Sequence, residues 1–307
     1  MEEKEEKKIL SKFIFVASIP FFFLAFGYLN IAELHLENFL FANLYQVFEN
    51  KITINPKSPI EELGLILNSG SSLSLLLKDS GEVKVLYKKF EDKRVPIASL
   101  TKLMTAVVSI ENYPLSLKIR ISREAAAQEG TGKLKETKLK EGDIYSVSDL
   151  LNIMIVESNN NAAYALAESM GMDNFLNEMN SKAESLGLKN TGFYNPTGLD
   201  PKEESGNLNY SSAKDLIRLS QYILKNHKEI FDISVRSTPT NTNELLSEIP
   251  NIIGGKTGYT DLAGGSLVLL TKENGGYIAS VILQTDSMEN RFEEMKKLIA
   301  AISKLNE

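Results

Sequence analysis

The sequence predicts an α+β domain in which one antiparallel sheet, built from both ends of the domain, is flanked by helices and carries an inserted helical lobe. Three observations carry this expectation. Strand-like apolar runs lie at Leu73–Leu77 and Val83–Tyr87, and again near the end at Gly265–Thr271 and Tyr277–Thr285. Between these two groups, apolar residues recur at helical rather than alternating spacing. No Pro-, Gly- or Ser-rich linker divides residues 60–307, so both strand groups belong to one folded unit.

The elements follow in order from the N-terminus. Residues 1–12 interleave four lysines with four glutamates, and Phe13–Ile31 is a nineteen-residue run without charge. A helix needs about 20 apolar residues to span a bilayer, so residues 13–31 are expected to anchor the chain. A cleaved signal peptide is the alternative, but Phe26-Gly-Tyr-Leu-Asn-Ile31 offers a poor cleavage site. With the lysines cytoplasmic, the rest of the chain is expected outside the membrane. Residues 32–59 form a juxtamembrane stalk, apolar at near-helical spacing and punctuated by Pro56 and Pro59; the folded domain is expected over 60–307.

Within that domain, Asp79-Ser-Gly81 turns the first strand pair. Leu100, Leu103, Met104, Val107 and Val108 form the apolar face of a helix ending before Pro114. Ser146 and Asp149 make a capping-box pattern ahead of Leu150, Leu151 and Met154. Leu176, Met179, Ala183 and Leu186 repeat at helical period up to Gly187, and Ser212 with Asp215 opens a helix carrying Leu216, Leu219 and Ile223. Asn274-Gly275 marks a hairpin between the last two strands, and Arg291–Leu305 is an amphipathic closing helix. The lysine-rich run Lys133–Lys140 reads as a solvated loop.

Composition narrows the function. There is no cysteine, which excludes thiol nucleophiles, zinc-thiolate sites and disulfides. Only His35 and His227 exist, too few for an imidazole-rich metal centre, so an enzyme built from this chain is expected to work without cofactor or metal. Lys plus Arg number 34 against 40 Asp plus Glu, a net charge of −6 that gives no support for nucleic-acid binding.

A hydrolase lacking a catalytic histidine can activate a serine with a lysine one helical turn away. Two Ser-x-x-Lys patterns occur, Ser99-Leu-Thr-Lys102 and Ser211-Ser-Ala-Lys214. Enzymes of this kind also need a Ser-x-Asn pair and then a Lys-Thr-Gly strand. Lys256-Thr-Gly258 occurs once, and Ser-x-Asn occurs at Ser158-Asn-Asn160 and at Ser205-Gly-Asn207. Because Ser205 precedes Ser211, only the set opening at Ser99 has the required order; within it Ser158 follows one helix end and precedes another, whereas Ser205 sits in a polar loop without such framing.

Four stretches carry a resemblance: Ala98-Ser-Leu-Thr-Lys-Leu-Met-Thr105, Glu157–Glu168, Asn195-Pro-Thr-Gly-Leu-Asp200 and Gly255-Lys-Thr-Gly-Tyr-Thr260. Over about residues 60–307 the chain resembles the D-alanyl-D-alanine carboxypeptidases, the low-molecular-mass penicillin-binding proteins of β-lactamase/transpeptidase-like fold. The resemblance implies removal of the terminal D-Ala from peptidoglycan stem peptides through a Ser99 acyl-enzyme, and inhibition by β-lactams. Lys102 would take the serine proton, Ser158 would relay it to the leaving D-Ala, and Asn160 would hold the substrate amide or orient Lys102. Lys256 and Thr257 would hold the substrate carboxylate. Gly258 would allow close approach of the strand, and the N–H groups of Ser99 and Tyr259 would form the oxyanion hole. Asn159 and Asn161 depart from the Gly and Asp usual in the family. A cross-wall D,D-endopeptidase, a serine β-lactamase and a non-catalytic sensor or wall-binding protein are the alternatives. The β-lactamase reading lacks an acid in Phe193-Tyr-Asn-Pro196.

Overall fold

The computed structural model describes residues 60, 64–129, 136–201 and 207–305. The predicted cytoplasmic N-terminus (1–12), membrane segment (13–31) and stalk (32–59) lie outside these residues, as do His35 and Ser205. Among the described residues no helix is long and apolar enough to cross a membrane.

The expected sheet is present. Strands β1 (Ser71–Lys78) and β2 (Val83–Lys89) join β7 (Ile252–Thr260), β8 (Gly264–Glu273) and β9 (Gly276–Thr285) in one antiparallel sheet of order β2-β1-β9-β8-β7. The chain's two strand groups meet where β1 pairs with β9, with Leu73 opposite Val281 and Leu75 opposite Ala279. Asn274-Gly275 turns the β8–β9 hairpin with Gly275 at φ +70°. β7 is an edge strand, and it carries the Lys-Thr-Gly sequence.

Alternation along the strands sends side chains to two apolar layers. Leu267, Leu269, Ile278 and Ile282 face the closing helix α8 (Asn290–Leu305), which contributes Phe292, Met295, Leu298 and Ile302 to the same cluster. Truncating one of these, such as Leu298, to Ala costs about 2–5 kcal/mol because the cavity only partly collapses. The opposite face is covered by helix α6 (Ala213–Asn226), which packs on β1 and β9. Both faces are thus covered, so Leu267–Leu270 forms a continuous buried run instead of alternating with polar residues.

The helical lobe fills the middle of the chain. A single 3₁₀ turn, Ala98–Thr101, runs directly into α1 (Lys102–Asn112). Then come α2 (Arg123–Ala126), α3 (Val147–Val156), α4 (Asn160–Glu168) and α5 (Met172–Ser185), with α7 (Glu229–Ser234) after α6. The Ser146 capping box forms: Ser146 Oγ accepts from Asp149 N at 3.1 Å, and Asp149 Oδ2 accepts from Ser146 N at 3.1 Å. Ser212 caps α6 as its sequence predicts. In α5 the inward residues are Phe175, Met179 and Ala183; Leu176 is only half-buried, because the larger Phe175 takes the core-facing position.

Two small ribbons went unread in the sequence: β3 (Val95–Pro96) with β6 (Tyr210–Ser211), and β4 (Lys118–Arg120) with β5 (Ile144–Ser146). Strands of two or three residues are too short for alternation to register. His227 ends α6, where its Nε2 lies 2.9 Å from Glu111 Oε1, far in sequence from the motifs and tied to a structural carboxylate. Within the lysine-rich run, Lys138 and Lys140 are exposed and Leu139 is buried. Among the described residues no group of His, Cys, Asp and Glu could hold a metal ion.

Candidate active site

The fold brings all eight predicted site residues to one cleft of about 500 Å³ between the helical lobe and edge strand β7. Ser99, Ser158, Asn160, Thr257, Gly258 and Tyr259 line it; Lys102 and Lys256 lie beneath, against the two serines. Tyr259 is the exposed member at the rim.

Ser99 stands in the 3₁₀ turn, and Lys102 is the first residue of α1. The three-residue spacing therefore closes through the tighter helix, in which i and i+3 are eclipsed. Lys102 is fully buried, and its Nζ lies 2.9 Å from Ser99 Oγ, 2.7 Å from Asn160 Oδ1 and 2.6 Å from Thr197 O. Two of these partners can only accept, so they take two N–H bonds. A neutral amine then has one lone pair left, and it faces the serine hydroxyl. Burial lowers the Lys102 pKa to about 7, opposed by the attraction of Glu136. Geometry and charge state thus agree on an amine able to take the Ser99 proton.

Ser158 sits between α3 and α4 with φ at +61°, a left-handed conformation uncommon outside glycine. That conformation separates Ser158 from both helices, and its Oγ lies 2.8 Å from Lys256 Nζ. Lys256, 2% exposed, also donates to Thr257 O at 2.9 Å.

The departures at Asn159 and Asn161 prove to be tethers. Asn159 Oδ1 caps α4 by accepting from Ala162 N at 2.9 Å, and its Nδ2 donates to Thr137 O at 2.9 Å. Asn160 Nδ2 donates to Glu129 O at 2.7 Å, and Asn161 Nδ2 to Ala125 O at 2.7 Å. Three consecutive amides thus pin the segment flanking the cleft, and the middle one simultaneously holds Lys102.

Close backbone approach is needed twice. At Gly198, φ +82°, a Cβ would stand 1.9 Å from Ala98 O; at Gly258 it would stand 2.9 Å from Ile97 O. Both glycines let their segments press against the turn that carries Ser99.

Several contributors carried no assigned role in the sequence. Asn195 Oδ1 accepts from the N–H groups of Thr197 (3.1 Å) and Gly198 (2.6 Å), which aims the Thr197 carbonyl at Lys102. Asp200 accepts from Thr260 Oγ1 at 2.7 Å and from Leu262 N at 3.2 Å, fixing the end of β7. Arg291 of α8 reaches the cleft floor, donates to Gly258 O at 2.9 Å and has its pKa lowered to about 10 by burial. The second Ser-x-x-Lys pair is elsewhere and otherwise engaged: Lys214 Nζ lies 3.4 Å from Asp92 Oδ1, and Ser211 Oγ lies 2.8 Å from Thr191 Oγ1.

Comparison with known proteins meets this geometry at the level of family. The family described as D-alanyl-D-alanine carboxypeptidase matches residues 68–287. The chain belongs to that family. D-alanyl-D-alanine carboxypeptidase DacF of Bacillus subtilis is 31% identical over 257 residues, 76% of this chain and 62% of the relative, so the match spans under two thirds of that protein's length. A D-alanyl-D-alanine endopeptidase of Pseudomonas aeruginosa is 34% identical over 264 residues, covering 78% of this chain and 80% of the relative. Among solved structures, penicillin-binding protein D2 from Listeria monocytogenes in its ampicillin-bound form aligns with a TM-score of 0.67 at 30% identity, over 77% of this chain and 98% of that one. The fold of this carboxypeptidase family member is accordingly the penicillin-binding-protein fold that its motifs imply.

Proposed function

We propose that this chain is a serine-type D-alanyl-D-alanine carboxypeptidase acting on peptidoglycan stem peptides through a Ser99 acyl-enzyme. The observation that carries the reading is the buried Lys102 amine, its Nζ 2.9 Å from Ser99 Oγ and held from the other side by Asn160 Oδ1 and Thr197 O. Ser99 Oγ attacks the carbonyl carbon between the two D-Ala residues while its proton passes to Lys102 Nζ. The N–H groups of Ser99 and Tyr259 receive the oxyanion. Collapse breaks the C–N bond, the proton held on Lys102 Nζ passes through the Ser158 hydroxyl, itself held by Lys256, to the leaving amine, and free D-Ala departs, leaving Lys102 neutral. Water then hydrolyses the Ser99 ester with Lys102 again as base, which restores the enzyme. Lys256 and Thr257 hold the terminal carboxylate, and Asn160 keeps Lys102 in register.

β-Lactams would acylate the same serine. The N-terminal segment 13–31 would tether the domain outside the membrane, next to its substrate. No metal or cofactor is needed in this scheme.

A D,D-endopeptidase on the same site is a second reading, favoured by relatives that bear that name. A β-lactamase fits less well. Its motifs are shared, but no acid stands in Phe193-Tyr-Asn-Pro196, and Asp200, one of three acids lining the cleft with Glu129 and Asp261, is engaged by Thr260 Oγ1 and Leu262 N.

The test is D-Ala release from a synthetic peptide ending in D-Ala-D-Ala. The full chain should release one D-Ala per peptide and Ser99→Ala none. Release that survives Ser99→Ala would overturn the assignment, and cleavage confined to cross-linked dimers would favour the endopeptidase.

A further inference from the structure

Thr242 was not singled out by any motif, yet it lines the cleft with its Oγ1 2.6 Å from Thr257 Oγ1, and both residues are buried. Its placement is built. On one side Asn241 donates to Ser234 O at 3.0 Å and Arg236 O at 2.9 Å, and accepts from Asn243 N at 2.9 Å. Thr242 N donates to Val156 O at 3.1 Å. Val156 ends α3, two residues before Ser158, so this loop is fastened to the helical lobe while its hydroxyl touches the strand.

The hydroxyl pair has a proton count to satisfy. Each hydroxyl carries one proton and two lone pairs, and a 2.6 Å contact needs one proton between the oxygens. If Thr257 spent its proton on Thr242, it would turn lone pairs toward an incoming carboxylate and repel it. If Thr242 donates instead, Thr257 has its proton free for the ligand. We propose that Thr242 is a positioning residue that fixes the Thr257 hydroxyl as a donor toward the substrate's terminal carboxylate. The proposal rests on the carboxypeptidase reading, in which Thr257 meets that carboxylate. It adds a role that the motif residues alone leave open, namely what decides the direction of the Thr257 hydroxyl.

The experiment uses the full chain, with kcat and KM for D-Ala release and, independently, the rate of benzylpenicillin acylation by intact mass. Thr242→Val should raise KM about 5- to 10-fold, the weight of one hydrogen bond, with kcat changed much less. Thr242→Ser, which keeps the hydroxyl, should restore the wild-type KM. In a Thr257→Val background, Thr242→Val should add nothing to the loss of penicillin acylation, because the residue acts only through Thr257. Thr242→Ala serves if the valine variant does not fold. An unchanged KM in Thr242→Val, failure of Thr242→Ser to rescue, or full additivity with Thr257→Val would overturn the proposal. Absence of D-Ala release by the wild type would instead overturn the proposed function, and penicillin, which also carries a carboxylate, would still read the role of Thr242.

Discussion

The chain holds the same four-residue pattern twice, and the two copies end in opposite states. At Ser99-Leu-Thr-Lys102 the lysine is fully buried, its Nζ hydrogen-bonded to oxygen atoms of a serine, an amide and a backbone carbonyl, and has its pKa lowered to about 7. At Ser211-Ser-Ala-Lys214 the lysine is paired with the carboxylate of Asp92, and the serine is occupied by Thr191. Burial favours the free amine at Lys102, whereas Lys214 stands beside a carboxylate. Chemistry therefore follows from what surrounds the pattern, and the pattern itself only makes the encounter possible. The surroundings of Lys102 come from three distant segments: Asn160 at the start of α4, Thr197 in the Asn195 turn, and Glu136 beside the cleft.

The contrast can be broken most directly at the serines. Ser99→Ala should abolish acylation by benzylpenicillin, a loss of roughly four orders of magnitude or more. Ser211→Ala should leave the acylation rate within about twofold and cost about 1 kcal/mol of stability through the lost contact with Thr191. Equal losses at the two serines would mean the two environments do not differ in the way described.

The lysines give the next largest effect. Lys102→Met removes the base while keeping the bulk, and should slow acylation by roughly 10²–10⁴-fold. Lys214→Met should change stability by no more than about 0.5 kcal/mol and leave acylation intact.

The pH dependence sharpens the comparison at Lys102 alone. The serine can pass its proton only to the unprotonated amine, so the acylation rate should rise with pH through about 7 and flatten above it. The sign for stability is the same. The folded pKa of about 7 lies below the ordinary 10.5, so between these values the unfolded chain binds one more proton than the folded one. Stability should therefore gain a contribution that grows as pH rises through that window, and Lys102→Met should remove it. Thermal midpoints of the two proteins across pH 6–10 would show whether the slope is there.

The smallest effect concerns the tethers. Asn161→Asp exchanges an amide donor for a carboxylate facing Ala125 O, and Gln128 O at 3.3 Å. It should lower stability by about 1–3 kcal/mol, with acylation reduced only as far as Asn160 shifts. A thermal midpoint equal to wild type would mean that the asparagine triplet does not hold the cleft segment.

Much of this site could be read before the fold, and the reason is order. Ser99, Ser158 and Lys256 are single side chains whose types and succession specify a chemistry, and the Asn274-Gly275 hairpin and Ser146 capping box carry their geometry in residue type. What stayed hidden works through the backbone or through distance. The carbonyls of Thr197 and Glu129 have no residue-type signal, since any residue supplies one. Arg291 reads as one more cation on an amphipathic helix until α8 packs beneath the sheet and brings it to the cleft floor. Thr242 lies in a loop with neither periodicity nor motif, and only the tertiary fold sets it beside Thr257. Even the asparagine flanking Ser158 looked like a departure from pattern until its amide met the carbonyl of Thr137.

The central claim is that Ser99, and no other serine, is the activated nucleophile. The most direct measurement is intact mass and peptide mapping of the full chain during a time course with benzylpenicillin. One long-lived adduct per chain, mapped to Ser99, is the predicted result. An adduct on Ser211, or no adduct at all above pH 7, would contradict it.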